Sequence, residues 1–247
     1  MLLTVTVLLA VTSCGNNGFP NGVEIPEYTP EEDIVVKKGY TASYNHLTLV
    51  PNWVAWELTK KEATCFNEYT AAFQSDSEVL SPKANPDDYR GSGWDKGHLA
   101  PVRDMRWDEC AIKDAYLMTN ICPQDHKLNA GAWRKIEVLT HRIVYHYGNV
   151  YVVCGPIFEY NGTDLIRKIG KNEVHVPDAF FKAIAVKKRG KYLTAAFVLE
   201  NEALNGSPLT YAITVDSLEA VIGRDLFPTI NGKYEATLGL DELLAEI

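Results

Sequence analysis

The fold of this chain is decided by Tyr89-Arg90-Gly91-Ser92-Gly93-Trp94-Asp95-Lys96-Gly97-His98-Leu99-Ala100-Pro101, followed later by Asn120-Ile121-Cys122-Pro123-Gln124-Asp125-His126-Lys127-Leu128-Asn129-Ala130-Gly131-Ala132-Trp133 and Glu137. The first half places a histidine after a glycine at the end of a predicted strand. The second half places an asparagine at the start of a predicted helix and a glutamate two turns along it. These three side chains are the candidates for a functional site.

Length and composition indicate an ordinary soluble globular chain. The 247 residues are 46% hydrophobic and 23% charged, and the formal net charge is −8. Such an acidic balance argues against a generic nucleic-acid coat, but an enzyme can gather positive charge around one cleft. Predicted strands outnumber helices and no βαβ rhythm appears. We therefore predict one α+β domain, residues 39–247, with a central, largely antiparallel sheet.

The first residues resemble an export signal. Residues 2–11 form an apolar run that is too short to span a bilayer as a finished helix but typical of a signal peptide. The run ends in Val11-Thr12-Ser13-Cys14, which resembles a lipoprotein cleavage box. We predict a signal peptide at 1–13, a lipidated Cys14, a tether at 14–38, and a lipid-anchored protein of the cell envelope. A cleaved secretory signal with an incidental Cys14 is the alternative.

The other cysteines leave two interpretations open. Cys65, Cys110, Cys122 and Cys154 could pair in three ways in an exported chain. The apolar surroundings of Cys122 and Cys154 are equally natural for buried thiols. A cysteine hydrolase that uses Cys122 is disfavoured, because no feature of the sequence would activate the thiol.

The predicted helix spans residues 131–147, where the apolar residues recur at spacings of three and four: Trp133, Ile136, Val138, Leu139, Ile143 and Val144. Asn129 at its start is suited to capping, and its amide oxygen is equally suited to Mg²⁺. Glu137 would lie about 12 Å further along the axis on the same face. That distance excludes joint direct binding of one ion but allows contact through metal-bound water.

His98 is the candidate general base. An unperturbed imidazole titrates near pH 6.5, so it accepts a proton at neutral pH. Gly97 would let the backbone approach a substrate or adopt an unusual φ. A packed histidine with satisfied nitrogens is the alternative for His98.

The two quoted halves, with Asp104-Met105 after the first, resemble the signature of the DNA/RNA non-specific endonucleases, the Serratia-type and endonuclease G-like nucleases. Weaker similarity extends the match to about residues 40–230. The resemblance implies a ββα-metal (His-Me finger) fold, with the sheet flanked by helices. It implies that His98 is the general base and Asn129 the direct metal ligand. It also implies that Glu137 orders metal-bound water and that Asp95 shapes the strand of His98.

The same resemblance implies a Mg²⁺ cofactor, with Mn²⁺ as a substitute, and DNA and RNA substrates cut to 5′-phosphate and 3′-hydroxyl ends. A homodimer is a further expectation. We therefore predict an exported Mg²⁺-dependent endonuclease with little sequence specificity. The alternative is a catalytically weak or inactive nuclease-fold lipoprotein that only binds nucleic acid.

Two departures from the family pattern concern substrate handling. Lys96 stands where the family usually has arginine, which keeps the charge but loses the bidentate fork to phosphate. An upstream arginine of some members is also missing, since the matching region is Ala71-Ala72-Phe73. Arg90, Arg134 or the basic tip of a predicted hairpin, Lys187-Lys188-Arg189, could replace it.

Overall fold

The computed structural model describes residues 22–158 and 166–245. The predicted signal peptide and Cys14 lie outside the described residues. Within them, no helix has both the length and the apolar character that crossing a membrane requires.

The strands are β1 (Asp33–Val36), β2 (Thr41–Asn45), β3 (Val50–Thr59), β4 (Asp95–His98), β5 (Ile121–Gln124), β6 (Asn149–Ile157), β7 (Lys168–Ile169), β8 (Val174–His175), β9 (Ala179–Lys188), β10 (Lys191–Glu200) and β11 (Ala212–Ile213). The helices are α1 (Lys60–Ala63), α2 (Glu109–Ala115), α3 (His126–Leu128), α4 (Arg134–Tyr147), α5 (Val215–Ile222), α6 (Gly232–Glu235) and α7 (Leu240–Leu244). A π-helical turn, Asn129–Trp133, joins α3 to α4.

Seven of the described strands form one antiparallel sheet in the order β1-β2-β3-β6-β9-β10-β11. The first eight residues of β9 are buried, because this central strand is covered on both faces. The predicted central antiparallel sheet flanked by helices is confirmed. Two short pairs lie apart from it, β4 with β5 and β7 with β8.

A separate hydrophobic core lies on each face of the sheet. On one face, Trp133 and Ile136 of the π turn and α4 pack against Phe180 and Ile184 of β9, and β5 joins the same cluster. On the other face, α5 and the loop after it share a cluster with alternate residues of β9 and of β10. Its members include Leu218 of α5, Leu226 and Phe227 of the loop, Ala183 and Ala185 of β9, and Ala196 of β10. The β4-β5 pair and α4 therefore share one side of the sheet, and α5 lies on the other.

The folded chain begins before Gly39, the predicted first residue of the domain. Strand β1 pairs with β2 from Asp33↔Tyr44 to Val36↔Thr41, and Ile25 is buried in the second core. Lys37 is buried too, and its Nζ lies 2.9 Å from Asp76 Oδ2. The polar composition of residues 14–38 did not predict β1. A short edge strand is stabilised by pairing with its neighbour, and its own sequence pattern is therefore weak.

Candidate active site

Glycines turn the chain into β4, the strand that carries the candidate base. Gly91 and Gly93 have φ values of +67° and +84°, which side chains with a Cβ rarely adopt. Strand β4 then pairs antiparallel with β5, so that Asp95 faces Gln124 and His98 faces Ile121.

Gly97 serves the packing of this strand pair. Its φ is not in the left-handed region, and a Cβ built on it would lie 2.6 Å from the Cβ of Gln124, which is 1% exposed. The unusual φ expected from the sequence is therefore wrong, and the structure adds close packing against Gln124 as a reason for this glycine. Only a glycine lets β5 come this close to β4.

His98 ends β4 inside an aromatic cluster. Its ring lies 5.3 Å from that of Phe73 and 5.2 Å, edge-on, from that of Tyr116. Burial lowers the pKa of His98 to about 4, and its Nε2 is buried without a hydrogen-bond partner. The imidazole is therefore neutral at physiological pH. Because Nε2 has no partner, the structure does not support the alternative of a satisfied core histidine.

The backbone beyond His98 is held by the buried amide of Asn120. Its Oδ1 accepts a hydrogen bond from the Ala100 amide at 2.8 Å, and its Nδ2 donates to the carbonyls of Ala100 and Ala115 at 2.8 and 2.9 Å. Asn120 belongs to the second sequence motif, but the motif alone does not indicate its role. The structure shows that it fixes the turn that follows His98.

The helix of the site starts earlier than predicted. Asp125 caps it, because its Oδ1 accepts hydrogen bonds from the amides of Lys127 and Leu128 at 2.8 and 3.1 Å. Asn129 follows α3 and opens the π turn, so its predicted use as a cap is wrong. Its side chain is therefore available for another contact.

Asp95 determines how the amide of Asn129 is turned. Asn129 Nδ2 donates to Asp95 Oδ2 at 2.9 Å, and His126 Nδ1 lies 2.9 Å from the same oxygen. An ionised carboxylate can only accept hydrogen bonds, so the nitrogen of the amide must face it. The Oδ1 of Asn129 then points away and makes no hydrogen bond to the described residues. Asp95 thus orients the metal-ligand candidate, beyond its predicted effect on the strand.

Helix and strand are also joined behind the site. Trp133 Nε1 donates to the carbonyl of His98 at 3.2 Å, and the Trp133 ring packs on Phe180, with centroids 5.6 Å apart. Among the described hydrogen bonds and ring contacts, none joins His98 directly to Asn129 or Glu137. The three predicted residues are held in one ββα unit through Asp95 and Trp133.

The π turn changes the relation between Asn129 and Glu137. A π turn inserts one residue into a helix, so about seven regular steps separate the two positions, about 20° short of two full turns. If the same residues formed a regular α-helix, eight steps would separate Asn129 from Glu137, and the two side chains would lie about 80° apart. The side chains therefore lie nearly in line along the helix, about 10 Å apart on its axis.

The family to which this site belongs follows from comparison with known proteins. A family model described as DNA/RNA non-specific endonuclease matches residues 21–232. The chain belongs to the DNA/RNA non-specific endonucleases. The resemblance drawn from the two motifs is thereby confirmed, and the endonuclease is a member of a hydrolase family.

Individual relatives agree with this assignment. Human mitochondrial endonuclease G is 31% identical over 205 residues, which cover 78% of this endonuclease and 69% of that protein. A nuclease of Nostoc sp. is 28% identical over 233 residues, with shares of 90% and 82%. A chain in the crystal structure of the EndoG/EndoGI complex matches with a TM-score of 0.78 and 26% identity, covering 86% of this chain and 92% of that one. The fold is the predicted ββα-metal fold.

Glu137 lies in an unusual electrostatic setting in this endonuclease. Burial raises the pKa of its carboxyl to about 7, although the charge of Lys182 acts in the opposite direction. Lys182 is 1% exposed, and its Nζ lies 4.2 Å from the ring centroid of Trp133 and 5.5 Å from that of Trp56. Lys182 is a single charge among the buried apolar residues of β9, and no local pattern indicates that it lies near Glu137.

Lys96 is held beside His98 by aromatic rings. Its Nζ lies 5.3 Å from the ring centroid of Phe73 and 5.6 Å from that of Tyr89. Lys96 and His98 alternate onto one face of β4, and both contact Phe73. The region that lacks the family's upstream arginine thus supplies the ring on which both side chains rest.

The other candidates for the missing arginine are less well placed. Arg90 is exposed and pairs with Asp87 at 2.7 Å. Arg134 is exposed, and its charge lowers the pKa of Glu137. The hairpin tip lies about 26 Å along β9 from Phe180, at 3.3 Å per residue, and Phe180 is the residue of β9 on which Trp133 packs.

The cysteines have no catalytic features. Burial raises the pKa of Cys122 well above the usual range of a thiol, which is the opposite of activation. Cys65, Cys110, Cys122 and Cys154 form no disulfide among the described residues. The sequence left disulfides and free thiols open, and in the structure these four cysteines are free thiols.

The residues present fit a small divalent cation. The Oδ1 of Asn129 is a hard oxygen donor that accepts no hydrogen bond from the described part of the chain, and the carboxylate of Glu137 lies in line with it on the same helix. Few protein ligands are typical of Mg²⁺, which keeps most of its water. The raised pKa of Glu137 also indicates a carboxylate that lacks a sufficient counter-charge.

Proposed function

We propose that this protein is a Mg²⁺-dependent endonuclease that hydrolyses phosphodiester bonds of DNA and RNA with little sequence specificity. The observation that carries the proposal is the hydrogen bond from Asn129 Nδ2 to Asp95 Oδ2 at 2.9 Å. It leaves an amide oxygen free in the same ββα unit that holds a neutral, partnerless histidine. Family membership supports the reaction class.

Asn129 would hold the cation through its Oδ1, with Mn²⁺ able to replace Mg²⁺. Bound there, the cation supplies a Lewis acid for the phosphate and the leaving oxygen. Glu137 would accept hydrogen bonds from water molecules of the cation's shell, since it lies in line with Asn129 but too far away to share a direct bond. Asp95 holds the amide in the required orientation.

His98 would take a proton from the attacking water while the water oxygen bonds to phosphorus and the bond from phosphorus to the 3′ oxygen breaks. The leaving 3′ oxygen would take a proton from solvent water. Because Nε2 is covered, the ring nitrogen that remains for this transfer is Nδ1. The lowered pKa keeps the acceptor deprotonated over the whole neutral range. Negative charge that develops on the phosphate would raise the proton affinity of the ring during the step.

Lys96 would contact the phosphate as a point charge, positioned by Phe73 and Tyr89. Contacts to phosphate carry no direct information on base sequence, which agrees with low specificity. A lysine lacks the fork of the family's arginine, so we expect altered substrate positioning rather than inactivity.

The test is cleavage of supercoiled plasmid by the purified full-length protein. We expect nicking with Mg²⁺ and none after EDTA. His98→Ala should reduce the rate about 10²- to 10⁴-fold while Mg²⁺ still binds in calorimetry. His146→Ala, an exposed histidine at the far end of α4, is the matched control and should remain active. Plasmid binding without cleavage under any divalent ion would instead support the alternative, a nuclease-fold binding protein.

We also propose export and a lipid anchor at Cys14. The apolar run at residues 2–11 and the Val11-Thr12-Ser13-Cys14 box support this proposal. Cys14→Ser should move the protein from the membrane fraction to the soluble fraction of the cells that produce it. Unchanged fractionation of this variant would exclude the lipid anchor.

A further inference from the structure

Three carboxylates converge on the side of the sheet opposite His98. Glu219 lies on α5, Asp225 lies in the loop that follows, and Glu235 ends α6. One carboxylate oxygen of each lies within 4.8 Å of the others. The neighbouring residues Leu218 and Leu226 belong to the second core, which α4 and the β4-β5 pair do not join.

Two of the three carboxylates are fixed by backbone amides. Glu219 Oε1 accepts from the amide of Leu226 at 2.7 Å, and Asp225 Oδ1 accepts from the amide of Phe227 at 3.1 Å. Both bonds shape the loop between α5 and α6. The two side chains are therefore held at the cluster before any ligand arrives.

Glu235 is the unusual member, because it is only 5% exposed and its Oε1 is buried without a hydrogen-bond partner. None of the three forms an ion pair with a lysine or arginine of the described chain. Burial and the charges of Glu219 and Asp225 raise the pKa of Glu235 to about 8. A buried carboxylate that lacks a partner is costly, and a bound cation would remove that cost.

The donor set indicates which cation fits. Carboxylate oxygens are hard donors, and Ca²⁺ binds them at 2.3–2.6 Å whereas Mg²⁺ binds at 2.0–2.1 Å. Two oxygens on one Ca²⁺ can lie about 5 Å apart, and two on one Mg²⁺ only about 4 Å. The three oxygens of this cluster lie within 4.8 Å of one another, so one Ca²⁺ can reach all of them.

We propose that Glu219, Asp225 and Glu235 bind a calcium ion that links the end of α5, the following loop and α6. The site is separate from the catalytic centre, since it lies on the other face of the sheet. It does not depend on the proposed nuclease mechanism. Bound Ca²⁺ would stabilise this layer of the fold.

The test is thermal unfolding of the full-length protein after removal of metals with EDTA and dialysis. Ca²⁺ at about a hundredfold excess over its Kd should raise the Tm by roughly 5–10 °C. Glu235→Gln should abolish most of that shift. Asp225→Asn, at the exposed residue of the cluster, should do the same in a separate variant. Glu202→Gln, an exposed glutamate outside the cluster, is the matched control and should retain it.

Asn129→Ala distinguishes this site from the catalytic one. Because the two sites lie on opposite faces of the sheet, this variant should keep the full Ca²⁺ shift. An unchanged Tm of the unaltered protein with Ca²⁺ would overturn the proposal. So would a shift that persists in both Glu235→Gln and Asp225→Asn, or one that disappears in Asn129→Ala.

Discussion

At the scale of single residues, the candidate site contains proposed reacting groups and a second set of residues that orients them. Asn129 supplies the oxygen, but Asp95 decides that the oxygen rather than the nitrogen points away from β4. His98 is kept neutral by its burial next to Phe73 and Tyr116. An orienting residue of this kind can be tested by its effect on metal affinity.

We expect Asp95→Asn to weaken Mg²⁺ binding about 10- to 100-fold, because an amide can donate to the Oδ1 of Asn129 and favour the wrong orientation. The measurement is the Mg²⁺ concentration that gives half-maximal plasmid cleavage. Asp87→Asn removes an exposed carboxylate that pairs only with Arg90, and it should leave this concentration unchanged. Equal values for Asp95→Asn and the unaltered protein would remove the orienting role.

The pH dependence of the reaction should report Glu137. Its pKa is raised to about 7, so the carboxyl takes up a proton as pH falls through 7, whereas His98 with a pKa of about 4 does so only in much stronger acid. We expect kcat/KM at low Mg²⁺ to fall below about pH 7. Added Mg²⁺ should move that midpoint to lower pH, because a cation favours the charged carboxylate.

This prediction is checked by pH profiles at two Mg²⁺ concentrations. The Mg²⁺-dependent movement of the midpoint should disappear in Glu137→Gln. A midpoint near 6.5 that ignores Mg²⁺ would instead identify an ordinary histidine as the titrating group.

At the scale of elements, the helix of the site differs from a regular amphipathic helix. The pattern of residues 131–147 correctly predicted α4 and its end at Gly148, whose φ is +94°. It did not predict α3 or the π turn, because one inserted residue shifts the periodicity only locally. That insertion brings Asn129 and Glu137 into line.

One alanine inserted after Ala130, which is exposed within the π turn, should add one step of helix between Asn129 and Glu137. Glu137 would then turn by about 100° relative to Asn129. We expect cleavage to fall at least about 100-fold, since small displacements of catalytic groups have effects of this size. Helical content by circular dichroism should be retained.

The control for that insertion is Ala130→Ser, which keeps the chain length and should remain active. An insertion variant that cleaves plasmid as fast as Ala130→Ser would show that the alignment of Asn129 with Glu137 has no part in the reaction.

At the scale of the whole molecule, a segment far from the motifs secures the core. Lys37 follows β1, and its Nζ lies 2.9 Å from Asp76 Oδ2 and 2.9 Å from Glu78 Oε2. Asp76 also accepts a hydrogen bond from Thr119 Oγ1 at 2.8 Å, next to Asn120. The N-terminal strand is thus connected to the segment that leads into β5.

Two adjacent lysines offer a matched comparison. Lys37 is 8% exposed, whereas Lys38 is exposed. Lys37→Ala leaves Asp76 buried without its counter-ion, and we expect the free energy of unfolding to fall by about 3–5 kcal/mol. Lys38→Ala should change it by less than about 1 kcal/mol. Urea denaturation measures both, and equal effects would contradict the importance of the buried pair.

The sequence by itself indicated the family and the α+β class, both of which are confirmed, and it predicted His98, Asn129 and Glu137 as site residues. These follow from residue types at fixed spacing within one continuous stretch, which local patterns preserve. The same holds for the β9-β10 hairpin, whose turn residues lie between two apolar runs.

Only the tertiary structure decided how those residues are oriented and charged. The orienting contact of Asp95 with Asn129, the rings of Phe73 and Tyr116 over His98, and the charge of Lys182 behind Glu137 all join segments distant in sequence. The physical reason is that a pKa depends on what surrounds a group, and the orientation of an amide depends on what it bonds. Neither surroundings nor bonding partners can be read from the residues next to it in the chain.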